Sequence, residues 1–388
     1  MSYWQLSSVY FFYFAVLGAT NPYWGLFLQD EGFDAQDIGS LMAIFIATKL
    51  IAPNIWGYLA DKTGRHLKVM QLGAALTPLF FIGVYWQQGF WSMAAVMLAY
   101  SFFWNAILPQ YEVITLRAIK GREDSYSKIR LWGSVGFIVA VAGLGWVLDF
   151  LSVQILPTAI LFIMLGMGLS TYYLTEIKRN CLSEKKIKND KFLKYLFRAP
   201  VICFLFAVIL MQLSHAPYYT FYSIFLEEYG YTRTSIGLLW SLGVLAEIIL
   251  FWQMHRLLKI FNATTILWFS LFVAAVRWFF MGASPESLWV ILLLQVLHAA
   301  TFGSFHAASI AIVRQMFPDR HAGQGQAVYS SIGFGVGGAL GAWLSGWMWQ
   351  NWGAELSFYF AALAAFAGAV VILVSLQVSR GAWLASYD

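Results

Sequence analysis

The sequence predicts an all-α membrane protein with twelve transmembrane helices in two pseudo-symmetric six-helix bundles. Three observations carry that prediction. Charged residues make up 11% of the chain and hydrophobic ones 60%, against a soluble norm of about 25% charged. Apolar runs of roughly 18 or more residues, long enough to cross a bilayer, recur along the whole length. The two halves also repeat each other. IGSLMAIFIATKLIAPNIW (Ile38 to Trp56) has a twin in IGLLWSLGVLAEIILFWQM (Ile236 to Met254). Ile38, Gly39 and Leu41 match Ile236, Gly237 and Leu239, and Lys49 stands where the twin has Glu247.

The first apolar run, near Leu6 to Leu28, has no cleavage site and a nearly uncharged start, so it reads as a retained helix. Spans at 37–60, 67–87, 91–116, 128–149 and 153–175 complete a first bundle over residues 1–175. One long connection follows, a basic cytoplasmic linker at 176–198 whose lysines either touch anionic headgroups or are simply solvated. The second bundle, 199–388, holds spans at 200–226, 235–257, 264–282, 287–313, 324–348 and 354–378. Further echoes keep a nearly constant shift: NPYW (Asn21 to Trp24) with APYY (Ala216 to Tyr219), and SVGF (Ser134 to Phe137) with SIGF (Ser331 to Phe334). Halves repeated in the same orientation are one transporter plan, with the substrate near the membrane midplane.

Loop charge predicts orientation. Lys62, Arg65, Lys68, Arg117, Lys120, the linker cations, Arg256, Lys259, Arg314 and Arg380 fall on one side. The opposite loops hold Asp30, Glu31, Asp34, Asp149, Glu227, Glu228, Glu286 and Glu355, with Arg233 as their only cation. Both termini are therefore expected in the cytoplasm, and the net charge of +5 reflects topology, not nucleic-acid binding. Cys181 and Cys203 form no disulfide framework or metal spacing. The glycine-rich run from Gly333 to Gly346 lacks Lys-Ser/Thr and lies inside an apolar segment, so it reads as close helix packing and not as a phosphate loop. No catalytic triad or metal cluster is visible, and the reading is no enzyme and no cofactor.

Ionisable residues inside the spans are the candidates for function, because a charge at a helix centre costs about 2.5–3.5 kcal/mol and usually faces a cavity or a partner. The carboxylates are Glu112 and Glu247; the cations are Lys49, Arg130 and Arg277. Pairing leaves one cation over for a substrate carboxylate, which Arg grips bidentately and Lys meets as a point charge. Helix-helix glue is the competing reading. Asn105, Pro109 and Glu112 share one helix face. Gln212, His215, Tyr219 and Tyr222 form a polar–aromatic stripe, although His215 is equally readable as hydrogen-bonded structure. Trp24, Tyr218, Tyr219, Tyr222 and Trp240 are available to flank a ring, and aromatics are also interface anchors. His306 is readable as packing.

GYLADKTGRH, Gly57 to His66, resembles the loop motif of the major facilitator superfamily. Its Gly57, Asp61, Gly64 and Arg65 fit a charged cytoplasmic latch, with His66 a mild departure from the usual cation. The P-x-x-E ending at Glu112 and the R-x-x-G-x-x-G-F beginning at Arg130 resemble lactose permease, as do V-R at Arg277 and L-H at His298. That resemblance implies substrate binding by Glu112 and Arg130, and a proton network of Glu247, Arg277 and His298. Thr301 departs from it, standing where a proton-carrying glutamate is expected. The chain is more closely similar to the phenylpropionate permease branch, in RLWGSV (Arg130 to Val135), HAPYY (His215 to Tyr219), LWSLGVLAE (Leu239 to Glu247) and RWFFMG (Arg277 to Gly282). The resemblance implies a proton-linked importer of a small aromatic carboxylic acid, monomeric, in the lipid of the bacterial inner membrane. A sugar or nucleoside symporter is the alternative, with efflux and a non-transporting membrane sensor further behind. Expected substrate contacts are Lys49, Asn105, Glu112, Arg130, Gln212, His215 and Tyr219.

Overall fold

In lipid every backbone polar group must be satisfied within its own segment, so long apolar runs fold as helices. The computed structural model describes residues 1–122, 125–175 and 192–378, which form helices and turns with no strand among them. The helices are α1 (Tyr3–Asp30), α2 (Ala35–Thr63), α3 (His66–Phe81), α4 (Phe90–Trp104), α5 (Ile107–Ala118), α6 (Ser125–Leu148), α7 (Leu156–Tyr172) and α8 (Phe192–Leu196). They continue as α9 (Ala199–Glu228), α10 (Arg233–Ile260), α11 (Ala263–Ala283), α12 (Leu288–His298), α13 (Ser304–Met316), α14 (Ala322–Ser330), α15 (Gly338–Trp352) and α16 (Ala354–Val378). Of the expected basic linker, residues 176–191 lie outside the described residues, Cys181 and most of its lysines with them.

Eleven helical stretches among the described residues are long and apolar enough to cross a membrane. The twelfth expected span is α1, whose 28 residues suffice in length while its serines, tyrosines and Asn21 make it more polar. Local chemistry sets the ends. Asp34 caps α2 by accepting the Asp37 N–H at 2.8 Å. Gly64 ends that helix in the left-handed region at φ 67°, where a β-carbon would be strained. Asn262 caps α11 in the same way as Asp34, at 2.7 Å from the Thr265 N–H.

The fourth expected span is broken. α4 stops at Trp104 and α5 starts at Ile107, so Asn105, Pro109 and Glu112 do not share one unbroken helix face as the spacing suggested. Pro109 has no N–H and leaves the carbonyl one turn earlier unclaimed. Asn105 braces the turn from the other side, donating to the Ser101 carbonyl at 2.9 Å.

Compactness cuts the chain differently from the repeat. One unit holds residues 1–180 together with 219–241; the other holds 181–218 and 242–388. In the first unit α1 packs closely on α6, and a β-carbon on Gly136 would overlap the Phe11 carbonyl. The same unit contains a clamp near its acidic loops. Asp149 accepts the backbone N–H groups of Arg233 (2.8 Å) and Thr234 (3.1 Å) at the start of α10. Arg233 in turn donates to Glu227 (2.8 Å) and to the Leu148 carbonyl (3.1 Å). A turn further on, α10 meets α6 at Gly237, where a β-carbon would lie 2.6 Å from both the Tyr23 hydroxyl and the Val141 carbonyl. In the second unit α11 lies along α16, and Gly341 lets α15 approach Leu213 and Ala216 of α9.

Candidate functional site

The second unit gathers Glu247 from α10, Arg277 from α11 and His298 from the end of α12. Arg277 is fully buried. Its Nε donates to the Leu294 carbonyl at 2.8 Å and one Nη donates to His298 Nδ1 at 3.0 Å. A guanidinium can only donate. His298 must therefore accept at Nδ1 and carry its proton at Nε2, which lies 2.9 Å from Glu247 Oε1. The imidazole is thus fixed as a neutral bridge between a cation and a carboxylate. The guanidinium also stacks on Tyr218 (4.6 Å) and Trp278 (4.2 Å). The three ionisable groups singled out from the sequence lie in contact with one another.

Thr301 completes this cluster without replacing the missing glutamate. Its hydroxyl accepts from Arg277 at 3.3 Å and donates to the His298 carbonyl at 3.2 Å. It stands in a π-turn, Ala299–Gly303, a rare geometry concentrated at functional sites. His215 is buried nearby, donating from Nδ1 to the Met211 carbonyl (2.9 Å), with Nε2 3.4 Å from Thr301 Oγ1. Tyr218 donates to Gln295 at 2.9 Å, a partner that sequence reasoning missed. Gln212 is buried, with its β-carbon close against Gly337.

The first unit holds other candidates, Lys49, Asn105, Glu112 and Arg130. Glu112 does not form an ion pair with Arg130; it accepts from the Tyr126 hydroxyl at 2.7 Å. Arg130 lies over the Phe14 ring (4.0 Å) and near that of Tyr10 (5.4 Å). Gly133 makes room for it, since a β-carbon there would lie 2.7 Å from the guanidinium. Among the described residues neither Arg130 nor the half-buried Lys49 has a hydrogen bond or an ion pair. Two cations, not one, are therefore left over. Asn105 spends both amide hydrogens on protein, on Ser101 and on Thr48 Oγ1 (2.8 Å) beside Lys49, which leaves its carbonyl for any ligand.

The aromatic stripe of α9 is divided. Gln212 and His215 belong to the second unit, Tyr219 and Tyr222 to the first. Tyr219 and Tyr222 pack near Trp240, at 6.2 and 5.6 Å between rings, and Trp240 donates to Ser223. Trp24 is core: it is buried against Phe27 and Phe81 and offers no face to a ligand. His306 stacks on Phe302 and meets the Tyr329 hydroxyl at 3.0 Å, in keeping with packing.

In the loop motif Asp61, Gly64 and Arg65 are exposed at the end of α2, and Gly57 has open space around it. His66 is the surprise. It is buried, donates from Nδ1 to Gln110 (2.8 Å) and accepts at Nε2 from Arg117 (3.2 Å), with Asp61 at 3.6 Å. A cation in its place would meet Arg117 with like charge, so here the motif fastens α3 to α5 through a neutral ring.

The MFS_1 like family matches residues 3–360. A protein of Escherichia coli (strain K12) described as a probable 3-phenylpropionic acid transporter is 29% identical over 368 residues, covering 92% of this chain and 93% of its own. The maltose permease of Geobacillus stearothermophilus is 25% identical, covering 96% and 94%. Among solved structures, the nucleoside transporter NupG superposes with a TM-score of 0.86 over 97% of this chain and 100% of its own, at 16% identity, a likeness of fold alone. With a family match running almost from end to end and an all-helical membrane architecture shared with solved transporters, the chain belongs to the MFS_1 like family of major facilitator transporters.

Proposed function

We propose that this transporter imports a small aromatic carboxylic acid together with protons, by alternating access. One observation carries the reading: Arg130 and Lys49 are intramembrane cations with no anionic partner among the described residues. Such charges are costly unless something anionic arrives. A substrate carboxylate meets that need, with Arg130 as a bidentate grip and Lys49 as a point charge. The similarity to a probable 3-phenylpropionic acid transporter favours an aryl-substituted acid. Asn105, Gln212, His215 and Tyr219 are the further candidate contacts; Glu112, expected among them from the resemblance, is held by the Tyr126 hydroxyl and is taken instead as a competitor for Arg130.

Proton coupling falls to the second unit. With His298 bridging Arg277 to Glu247, the group left to take up a proton is the carboxylate. Uptake there cancels its attraction to the His298–Arg277 side and changes the local charge by one unit. Loop charge supports an orientation with both termini inside, the bacterial relatives support the inner membrane, and the protein acts as a monomer, without cofactor or enzymatic step, driven by the proton gradient. The names of relatives favour a second reading, a sugar or nucleoside symporter.

A thermal-shift screen of the purified protein separates the two, because a ligand that binds the folded state raises its melting temperature with occupancy. 3-Phenylpropionic acid is expected to stabilise, and its amide, maltose and uridine are not. Stabilisation by maltose or uridine and not by the acid transfers the assignment to the second reading.

A further inference from the structure

The open state of Arg130 needs its own explanation. Glu112 is the carboxylate of α5 that faces the start of α6, and bidentate pairing with an arginine is among the strongest contacts available to it. Its carboxylate is bound by Tyr126 of α6, and Arg130 of the same helix lies 5.4 Å from the Tyr10 ring. The two charges thus share one neighbourhood, with Tyr126 in reach of both. Yet the contact made is Tyr126 to Glu112, at 2.7 Å. Tyr126 and Arg130 are four residues apart on α6, so hydroxyl and guanidinium lie on the same helix face. The Tyr10 hydroxyl is fully buried beside the same carboxylate, outside ordinary hydrogen-bond geometry. On the opposite side the Phe14 ring and the gap at Gly133 hold the guanidinium in place without neutralising it.

We propose that Tyr126 is a specificity-determining positioning residue: by holding Glu112 it keeps Arg130 unpaired, and so makes the site a receptor for anions instead of an internal salt bridge. The inference rests on the reading that Arg130 receives the substrate carboxylate. A freed Glu112 would compete with the substrate for the same guanidinium. The competition is intramolecular, so a substrate at millimolar concentration or below would be at a disadvantage. The tyrosine contributes no contact to the substrate; it acts through Glu112.

The test is a set of three variants in the full-length protein, with affinities for 3-phenylpropionic acid measured by calorimetry. Tyr126→Phe removes the hydroxyl and keeps the ring. It is expected to weaken acid binding about tenfold, the factor that corresponds to 1.4 kcal/mol. Tyr126→Phe combined with Glu112→Gln removes the competitor as well and is expected to restore wild-type affinity. A purely structural tyrosine would not be rescued in this way. Glu112→Gln alone is expected to bind at least as tightly as wild type. Unchanged affinity in Tyr126→Phe overturns the proposal, as does failure of the double variant to recover at an unaltered melting temperature, or a loss in Glu112→Gln alone, which would make Glu112 a direct substrate contact. Absence of any acid preference in the wild type instead removes the underlying reading, so the two failures are told apart.

Discussion

Replacing Lys49 with methionine should make the empty protein more stable and the loaded one weaker. The change removes the charge and keeps nearly the same chain length. An ammonium at a helix centre costs roughly 2.5–3.5 kcal/mol on insertion scales. Lys49 is only half-buried within the protein, so the recoverable part is taken as smaller, about 1 kcal/mol. No partner stands to lose, since the residue has neither hydrogen bond nor ion pair among the described residues. The effect on binding has the opposite sign. A charge-assisted contact to a carboxylate is worth on the order of 1–3 kcal/mol, which is roughly 5- to 150-fold in Kd. The uncharged amide analogue should lose much less. Melting temperatures without ligand, followed by calorimetric titration with acid and amide, read both effects on the same protein. A lower melting temperature together with equal loss for acid and amide would refute the argument and make Lys49 a support of the fold.

Three further outcomes follow from the same geometry. Arg130→Lys keeps the charge and loses the planar fork, so acid affinity should drop about tenfold or more at an unchanged melting temperature; a fall in melting temperature with normal affinity would mark a structural role. Glu247→Gln still offers His298 an acceptor oxygen but takes up no proton, so liposomes carrying the variant should exchange labelled substrate without concentrating it. Continued uphill accumulation would show that protons are carried elsewhere. At the clamp of the first unit, burial raises the Asp149 carboxyl, but hydrogen bonds from Thr234 and Arg233 and the Arg233 charge outweigh it and hold it below the ordinary carboxylate value. The contact is then complete above the unfolded value of about 4 and is lost only as pH falls through the lower folded one. Amide exchange at Arg233 and Thr234, corrected for intrinsic rates, should accordingly be the same at pH 7 and pH 5, and faster in Asp149→Asn at both.

Most of the fold was legible because the bilayer leaves the chain few choices. Each expected span is helical, three of them in two α-helical pieces, and boundaries differ by a few residues where caps such as Asp34 and Asn262 carry the helix into the polar loop. The break at Asn105 was half legible: Pro109 advertised a lost hydrogen bond, while the bracing bond from Asn105 to Thr48 joins residues 57 apart in sequence and has no local signal. The placement of residues 219–241 was not legible at all. Neither helix is interrupted there; the Asp149 contacts to Arg233 and Thr234, and the close approaches at Gly237 and Gly145 to the Tyr23 hydroxyl, hold the ends of α9 and α10 in the first unit.

The candidate site was legible where every member stands out from an apolar helix and illegible where an ordinary hydroxyl did the pairing. Glu247, Arg277 and His298 are conspicuous in apolar helices, and His298 bridges the two charges. For Glu112 and Arg130 the internal salt bridge of the competing reading is not formed, because a tyrosine hydroxyl satisfies the carboxylate without announcing itself in a charge count. Tyr126 was visible as a polar group one turn before Arg130; what was missing was any reason to prefer it. His66 follows the same pattern, with Gln110 and Arg117 fixing a ring that a motif comparison reads as a weakened cation. The consequence for function is asymmetric. In the second unit Arg277 is engaged by the Leu294 carbonyl, His298 and Thr301, so much of its donor set is already spent. In the first, Arg130 is held by ring faces and a glycine gap, contacts that fix its position and leave its donors available. An anion therefore gains more at Arg130 than at Arg277, although the two look equivalent in sequence.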